Sequence, residues 1–391
     1  MSSDRSGNRR TVRLGEILKL RREHAQGNEQ LLSVTRTRGV ISQEDVGRRD
    51  SSSNDKTTYW KVHPEDIVYN TMRMWQGVSG RSDLHGIVSP AYTVCRVTDD
   101  ADPRFVASLL KHSALVQDFY RYSQGLVSDT WNLRYSSFSE VKAEIPELAE
   151  QQRIAEILNA VDMQISATQE VIAKQKQVNA GLLSRLFSSF DTPSRPLSEF
   201  LATRPRNGFS PNETEHWTGV VSLGLGCLTM EGFVPRQLKN APSKDVRYAS
   251  AWLSHGDLLI SRSNTFDLVG LVGRYQDIGT PCIYPDLMMK LTPNKLVRPE
   301  FLELALRHGY AREQIKRISQ GTSGSMVKIS AASLIKVTLK IPDLADQDRV
   351  LRAFTAQNAQ VNALEREIAK LRLVKQGLMD DLLTGRVRVP V

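Results

Sequence analysis

The chain has 391 residues, 40% of them apolar and 24% charged, with a formal net charge of +9. This composition suits a folded protein of two or three domains and excludes a low-complexity or disulfide-built scaffold; no apolar run approaches the roughly 20 residues that a membrane span needs. Cys95, Cys227 and Cys282 are scattered, with neither a disulfide framework nor metal-ligand spacing, so a reducing cytoplasm is the expected compartment.

Residues 1–10, MSSDRSGNRR, are polar and lack the apolar core of a signal peptide, so a short disordered tail is expected. A globular region follows over 11–144, with strand signals at Leu31–Thr35, Ile67–Tyr69 and Val88–Val97 and a helical stretch at Arg104–Tyr122. A long helix is predicted over 145–190. A second globular region, 191–340, carries strand signals at Val220–Leu223, Leu258–Ser261, Leu268–Tyr275, Leu287–Leu291 and Val337–Ile341 and a helical stretch at Pro299–Arg317. A second long helix and a tail make up 341–391. The expected fold class is α+β: two pseudo-repeated α/β globular domains, each with a mixed or antiparallel sheet, separated by two long helices. Residues 1–145 hold 21 Lys+Arg against 18 Asp+Glu and residues 191–340 hold 19 against 13, so the excess positive charge lies on the globular regions. Cations placed there can neutralise phosphate, which makes these regions the expected surface for DNA.

The two helices are copies of one segment. Ile145–Phe187 and Ile341–Leu383 are 196 positions apart and align without a gap, with about 16 of 43 positions identical. Each opens with Ile-Pro and an acidic first turn, the signature of a helix start. Apolar residues then recur at alternating spacings of four and three. The first seam is Ile154, Leu158, Val161, Ile165, Thr168, Ile172, Gln175, Asn179, Leu182 and Leu186. The second is Val350, Phe354, Gln357, Val361, Leu364, Ile368, Leu371, Lys375, Leu378 and Leu382. This is a coiled-coil seam. Two such helices can pair antiparallel within the chain; a homodimeric coil would use the same seam, and the gapless internal repeat favours the intramolecular pair. Gly181 and Gly377 are matched interruptions near the ends.

The globular regions also correspond, more weakly. Val12–Leu18 matches Arg195–Leu201, His63–Tyr69 matches His255–Ser261, and Ser-Gln-Gly recurs at 123–125 and 319–321. The offset grows from 183 to 191 to 196, as expected of a shared scaffold carrying different surfaces. A polar segment follows each matched strand. Asn70, Arg73, Trp75 and Gln76 in the first, and Arg262, Ser263, Asn264 and Thr265 in the second, are candidates for DNA contact, because Arg suits guanine and Asn or Gln suits adenine. Arg36 and Arg38, and Arg204 and Arg206, are expected on further exposed basic loops.

Other motifs carry less. Ser89-Pro-Ala-Tyr92 is similar to the adenine-methyltransferase tetrapeptide, but Ala91 replaces its second proline, and Ser89 and Tyr92 read better as the start of a core strand. Gly224-Leu-Gly226 lacks a βαβ context. No Walker A sequence is present, the seven histidines are scattered, and no catalytic centre is expected in the chain.

Taken together, Ala149–Leu158 after Ile145-Pro146, the ending Lys375–Val389, Gly86–Tyr92 and His255–Arg262 resemble the specificity subunit of a type I restriction-modification enzyme, over about Val12 to Val389. The resemblance implies a non-catalytic DNA-binding subunit. Its two target-recognition domains would each read one half of a bipartite double-stranded DNA site. The helices would set the gap and dock two methyltransferase subunits. S-adenosylmethionine would belong to those partners; ATP and Mg²⁺ would serve restriction subunits that translocate and cut DNA. In place of Gln-Gln-Arg-Ile, the second repeat has Gln347-Asp-Arg-Val350, a departure expected to alter partner docking. The alternatives are a subunit serving methylation alone, a DNA adenine methyltransferase in its own right, and a coiled-coil protein without a DNA role.

Overall fold

Apolar alternation in the short segments and the 3.6-residue period of the repeats build the elements of a computed structural model, which describes residues 9–26, 29–47, 55–125, 131–244, 250–321 and 326–390. The tail expected at 1–10 lies outside the described residues except for Arg9 and Arg10. The chain divides into two units, Met1–Val171 with Leu364–Val391, and Ile172–Ala363. The division cuts through both long helices, Leu148–Ser189 and Leu344–Leu382. Each unit therefore takes one globular region, the adjoining part of the helix that follows it and the far part of the other helix.

In the first unit a four-stranded antiparallel sheet has the order Leu18–Leu20, Tyr92–Val97, Ile67–Asn70, Ser79–Arg81. Helices Pro103–Leu109 and Ser113–Tyr122 cover it. Ile17, Tyr69, Phe105, Phe119 and Phe138 form its core together with Ile154, Ala155 and Leu158 of the first long helix and Met379, Leu382 and Leu383 of the second. A hairpin, Leu32–Thr35 with Gly39–Ser42, adds a smaller cluster. Since Glu150 meets Arg388 and Asp162 meets Lys375, the helix segments run antiparallel.

The second unit repeats this plan. Its sheet order is Leu201–Asn207, Met288–Pro293, Leu258–Ser261, Val272–Arg274, all antiparallel, under helices Pro299–Arg307 and Gly309–Arg317. Leu183 and Val350 enter its core, with Leu186, Phe187, Leu351 and Phe354 packed around them. A second sheet, Leu238–Asn240, Val221–Leu223 and Cys282–Ile283, includes one parallel pair. The two sheet frames are thus the same, while their additions differ.

Several expected elements are shorter than the sequence suggested. Val88–Val97 is two strands, Gly86–Val88 and Tyr92–Val97, because Ser89-Pro90 makes a turn closed by Tyr92 N–H donating to the Ser89 carbonyl at 3.0 Å. Ser89 belongs to that turn, and only Tyr92 starts the strand. Leu268–Tyr275 shrinks to Val272–Arg274. Gly270 has φ +73° there, and a Cβ on it would lie 2.2 Å from Ile315 Cγ2. Both expected helical stretches break at matched positions, His112-Ser113 and His308-Gly309, where the histidine backbone is extended.

Along the second long helix all ten seam positions are buried or half-buried; along the first, nine are. Leu182 is the exception, 37% exposed, and Leu183 takes the inward position at 3%. A 3.5-residue seam drifts on a 3.6-residue helix, and here the drift is resolved by one residue after Gly181. The intramolecular reading of the seam is the one found.

The two break histidines differ in surroundings. His112 Nε2 lies 3.3 Å from Asp380 Oδ1. The matched His308 Nε2 is buried without a partner among the described residues, and burial, then Arg307, pulls its pKa down to about 4. The unfolded chain protonates this histidine near pH 6.5 and the folded chain only near 4, so the stability present above pH 6.5 is lost as pH falls between those values. Thermal melts at pH 7 and pH 5 are expected to show a smaller drop for His308→Gln than for the unaltered chain; equal drops would show that His308 does not carry this loss.

Candidate nucleic-acid interface

The polar segments singled out in the sequence occupy equivalent places. In the first unit the chain leaves strand Ile67–Asn70 and turns through Thr71–Gly77. Asn70 Oδ1 accepts from Met72 N–H at 3.0 Å, and Trp75 Nε1 donates to the Met72 carbonyl at 3.1 Å. These bonds hold the turn and leave Arg73 exposed, with Asn70, Trp75 and Gln76 half-buried. In the second unit the chain leaves Leu258–Ser261 into Arg262–Asp267. Arg262 and Asn264 are half-buried and Thr265 is exposed. Ser263, by contrast, is 1% exposed and has no partner for its hydroxyl, so it presents nothing to a ligand in this conformation.

Residues beside the repeated Ser-Gln-Gly lie against each segment. Gln124 and Asn132 exchange two backbone bonds of 3.0 and 2.8 Å; Gln320 and Lys328 exchange two of 2.9 and 2.8 Å. Leu133 N–H then donates to the Thr71 carbonyl at 2.8 Å, and Ile329 N–H to the Arg262 carbonyl at 2.9 Å. The same frame therefore presents two different surfaces. In the first unit Trp131 stacks edge-on against Trp75 and Tyr120, with centroids 5.0 and 4.7 Å apart, beside exposed Met72 and Tyr122. In the second, exposed Phe266 lies 5.7 Å from Lys316 Nζ, and Arg317 at the end of helix Gly309–Arg317, Met326 and Lys328 are exposed. Aromatic faces offer stacking and apolar contact, and the exposed cations Arg317 and Lys328 suit phosphate. Sequence reasoning missed Tyr120, Trp131, Arg317 and Lys328; the repeated Ser-Gln-Gly was the signal that could have found them.

The remaining candidates divide. Arg36 and Arg38 are exposed at the tip of the hairpin, with Arg38 Nη2 donating to the Asp45 carbonyl at 2.7 Å. Arg204 and Arg206 are exposed, but on the edge strand Leu201–Asn207 rather than a loop, because that strand pairs with Met288–Pro293 through two register shifts. The matched acids of the strand entry are structural. Asp66 accepts from His63 N–H at 2.8 Å and pairs with Arg21, while Asp257 accepts from Ser254 N–H at 2.8 Å and pairs with Lys290.

Ser89–Tyr92 forms its turn beside the candidate segment, where the Ala91 carbonyl accepts from Thr71 Oγ1 at 2.7 Å. Gly224-Leu-Gly226 is closed by Gln237, whose Oε1 takes the Gly226 N–H at 2.7 Å. Among the described residues no group of three His, Cys, Asp or Glu could hold a metal ion, and no helix is long and apolar enough to cross a membrane.

The glutamine that opens each repeat ties helix to domain. Gln151 is fully buried; its Oε1 accepts from Asp102 N–H at 3.0 Å and its Nε2 donates to the carbonyls of Pro146 at 2.9 Å and Asp100 at 3.4 Å. Gln347 does the same with Arg298 N–H at 2.8 Å and the carbonyls of Pro342 at 2.8 Å and Leu296 at 3.0 Å. Every partner is shifted by 196 positions. Asp348, where the repeats depart from one another, pairs with Arg298 at 3.0 and 3.1 Å. The departure thus has a role within its own unit.

Residues 88–177 match the family model for the type I restriction modification DNA specificity domain. The specificity subunit of the type I restriction enzyme EcoKI from Escherichia coli (strain K12) is 23% identical over 362 residues, covering 84% of this chain and 76% of the relative. Two solved structures share the fold. One is a chain from work on complex assembly and conformational transition of the type I R-M system, with TM-score 0.58 and 18% identity, over 96% of this chain and 97% of that one. The other is the type I restriction-modification S subunit from M. genitalium, with TM-score 0.53 and 14% identity, over 98% of each. The matched domain, the curated relative and the doubled fold make this chain similar to the DNA specificity subunits of type I restriction-modification systems.

Proposed function

We propose that each unit reads one half of a bipartite, asymmetric DNA site and that the paired helices set the gap between the halves. The observation that carries this is the equivalence of Thr71–Gly77 and Arg262–Asp267: one strand frame, one supporting backbone bond and different side chains. A copied frame with unlike surfaces suits two unlike half-sites. Arg73, Gln76, Arg262 and Asn264 are the candidates for base edges, and Arg36, Arg38, Arg204 and Arg206 for phosphate or flanking bases. The exposed faces of the long helices are the proposed docking surface for two methyltransferase subunits. In this reading the chain directs chemistry in the cytoplasm without performing it. Its partners hold S-adenosylmethionine, and restriction subunits joining them use ATP and Mg²⁺.

The test is a methylation map of DNA treated with this chain and its modification partner. A two-part motif is expected. Replacing residues 191–340 by the matching region of another specificity subunit should change one half of the motif only, and adding a helical turn to both long helices should change the gap only. A continuous palindromic motif, or a change in both halves on exchange, would overturn the reading. Methyl transfer by the purified chain alone would assign the chemistry to this chain instead.

A further inference from the structure

Each unit has a cavity between its first surface helix and the long helix that follows its globular region, and the surface-helix positions lining the two are 196 apart. Their electrostatics differ. In the second unit Arg274 pairs with Glu300 at 2.7 Å and Glu303 at 3.1 Å, and Glu303 also meets Arg307 at 3.5 Å, so the walls neutralise one another. In the first unit Arg104 stands in the place of Glu300, Ala107 in that of Glu303 and Lys111 in that of Arg307. Both wall carboxylates are gone and the cations remain.

We propose that the first-unit cavity binds a phosphate-type oxyanion, held by Lys111 with Arg104, Arg81 and Lys375 around it. The cavity measures about 160 Å³, room for one small oxyanion with a water or two and too little for a nucleoside. Three of its cations already have acceptors that leave N–H groups spare: Arg81 with Glu65 at 2.6 Å and with Asp83, Arg104 with Asp102 at 3.1 Å, and Lys375 with Asp162 at 2.7 Å. Lys111 is different. It is half-buried, and among the described residues its ammonium has no hydrogen bond or ion pair. A cation partly withdrawn from solvent without a partner is under-compensated, and an oxyanion is the partner that three ammonium donors fit. Burial, then neighbouring Lys375, pushes the Lys111 pKa below its ordinary value, as expected of an under-compensated cation. One carboxylate, Asp162, lines the cavity, and Lys375 binds both of its oxygens. The phosphate has two sources, free inorganic phosphate or the backbone of bound DNA.

The test uses the full-length chain, with Lys111→Met and Lys111→Gln as uncharged variants one atom shorter than lysine. Thermal melts are recorded in sodium phosphate and in sodium chloride at matched ionic strength. The unaltered chain should gain a saturable rise of a few degrees in phosphate, and both variants should lose it. In chloride, Lys111→Met should melt no lower than the unaltered chain, since it removes a half-buried, unpaired charge. Binding to a generic duplex then separates the sources. A backbone phosphate in the cavity predicts that Lys111→Met lowers the slope of log affinity against log salt by about one and that inorganic phosphate competes; a free phosphate predicts unchanged DNA binding. No saturable response in the unaltered chain, or the same response in both variants, overturns the proposal.

Discussion

Gln151→Ala is expected to destabilise the first unit by about 3–5 kcal/mol, and Gln347→Ala the second by a similar amount. Each glutamine is fully buried and joins a backbone N–H ahead of a surface helix to carbonyls at the start of a long helix. Alanine leaves at least one buried donor and one buried acceptor without their side-chain partner, at about 1–3 kcal/mol each, and adds a cavity. Urea unfolding gives the measure, with Trp60, Trp75 and Trp131 reporting on the first unit and Trp217 and Trp252 on the second. Gln151→Glu sharpens the test. Its carboxylate can still accept from Asp102 but cannot donate to Pro146, so the loss at pH 7 should shrink as acid restores a proton. A loss below about 1 kcal/mol for Gln151→Ala would mean that water replaces the side chain and that the clamp is not what joins helix to domain.

Removing the Arg388 guanidinium is the second large effect. Glu150 sits one residue before Gln151, and its side chain is 3% exposed; Arg388 Nε reaches its Oε1 at 2.8 Å while Nη2 holds Oε2. Arg388→Ala strands a buried carboxylate, expected to cost about 3–5 kcal/mol. Glu150→Gln should cost less, about 1–2 kcal/mol, because the side chain of Arg388 is 36% exposed and can be rehydrated. The sign of the pH dependence follows. In Arg388→Ala the buried carboxyl has a folded pKa above its unfolded value, so the destabilisation is largest at neutral pH and fades as pH falls toward the carboxylate range. Equal costs for the two variants at pH 7, or a pH-independent loss, would contradict this account. Arg9 adds a second tie at the same place, donating to the carbonyls of Leu382 and Leu383 at 2.7 Å each, where the last carbonyls of a helix lack donor partners.

Much of the architecture was legible because its signals are local and periodic. The repeat and its four-three spacing locate both long helices to within a few residues, and every seam position of the second helix points inward. The matched anchors at 63–69 and 255–261 fall on equivalent central strands. The candidate segments after them, Asn70–Gln76 and Arg262–Thr265, fall beside equivalent loops. Errors arose where one residue's conformation interrupts a pattern: Ser89-Pro90 splits a strand, His112 and His308 split helices, and Leu183 replaces Leu182 in the seam.

The sequence by itself determined that the chain is a duplicated α+β scaffold on two coiled-coil helices, since heptad spacing and a gapless repeat need no knowledge of distant contacts. Only the tertiary structure decided which polar residues are surface and which are framework. Ser263 reads as a candidate of equal standing with Arg73, yet it is buried beside the strand Val327–Lys328, while Gln151 and Glu150, polar residues of a helix start, are buried by partners more than 40 positions away. Burial and charge compensation depend on contacts between elements far apart in sequence. The substitution of Arg104 for Glu300 in otherwise matched frames therefore became meaningful only once both were seen facing a cavity.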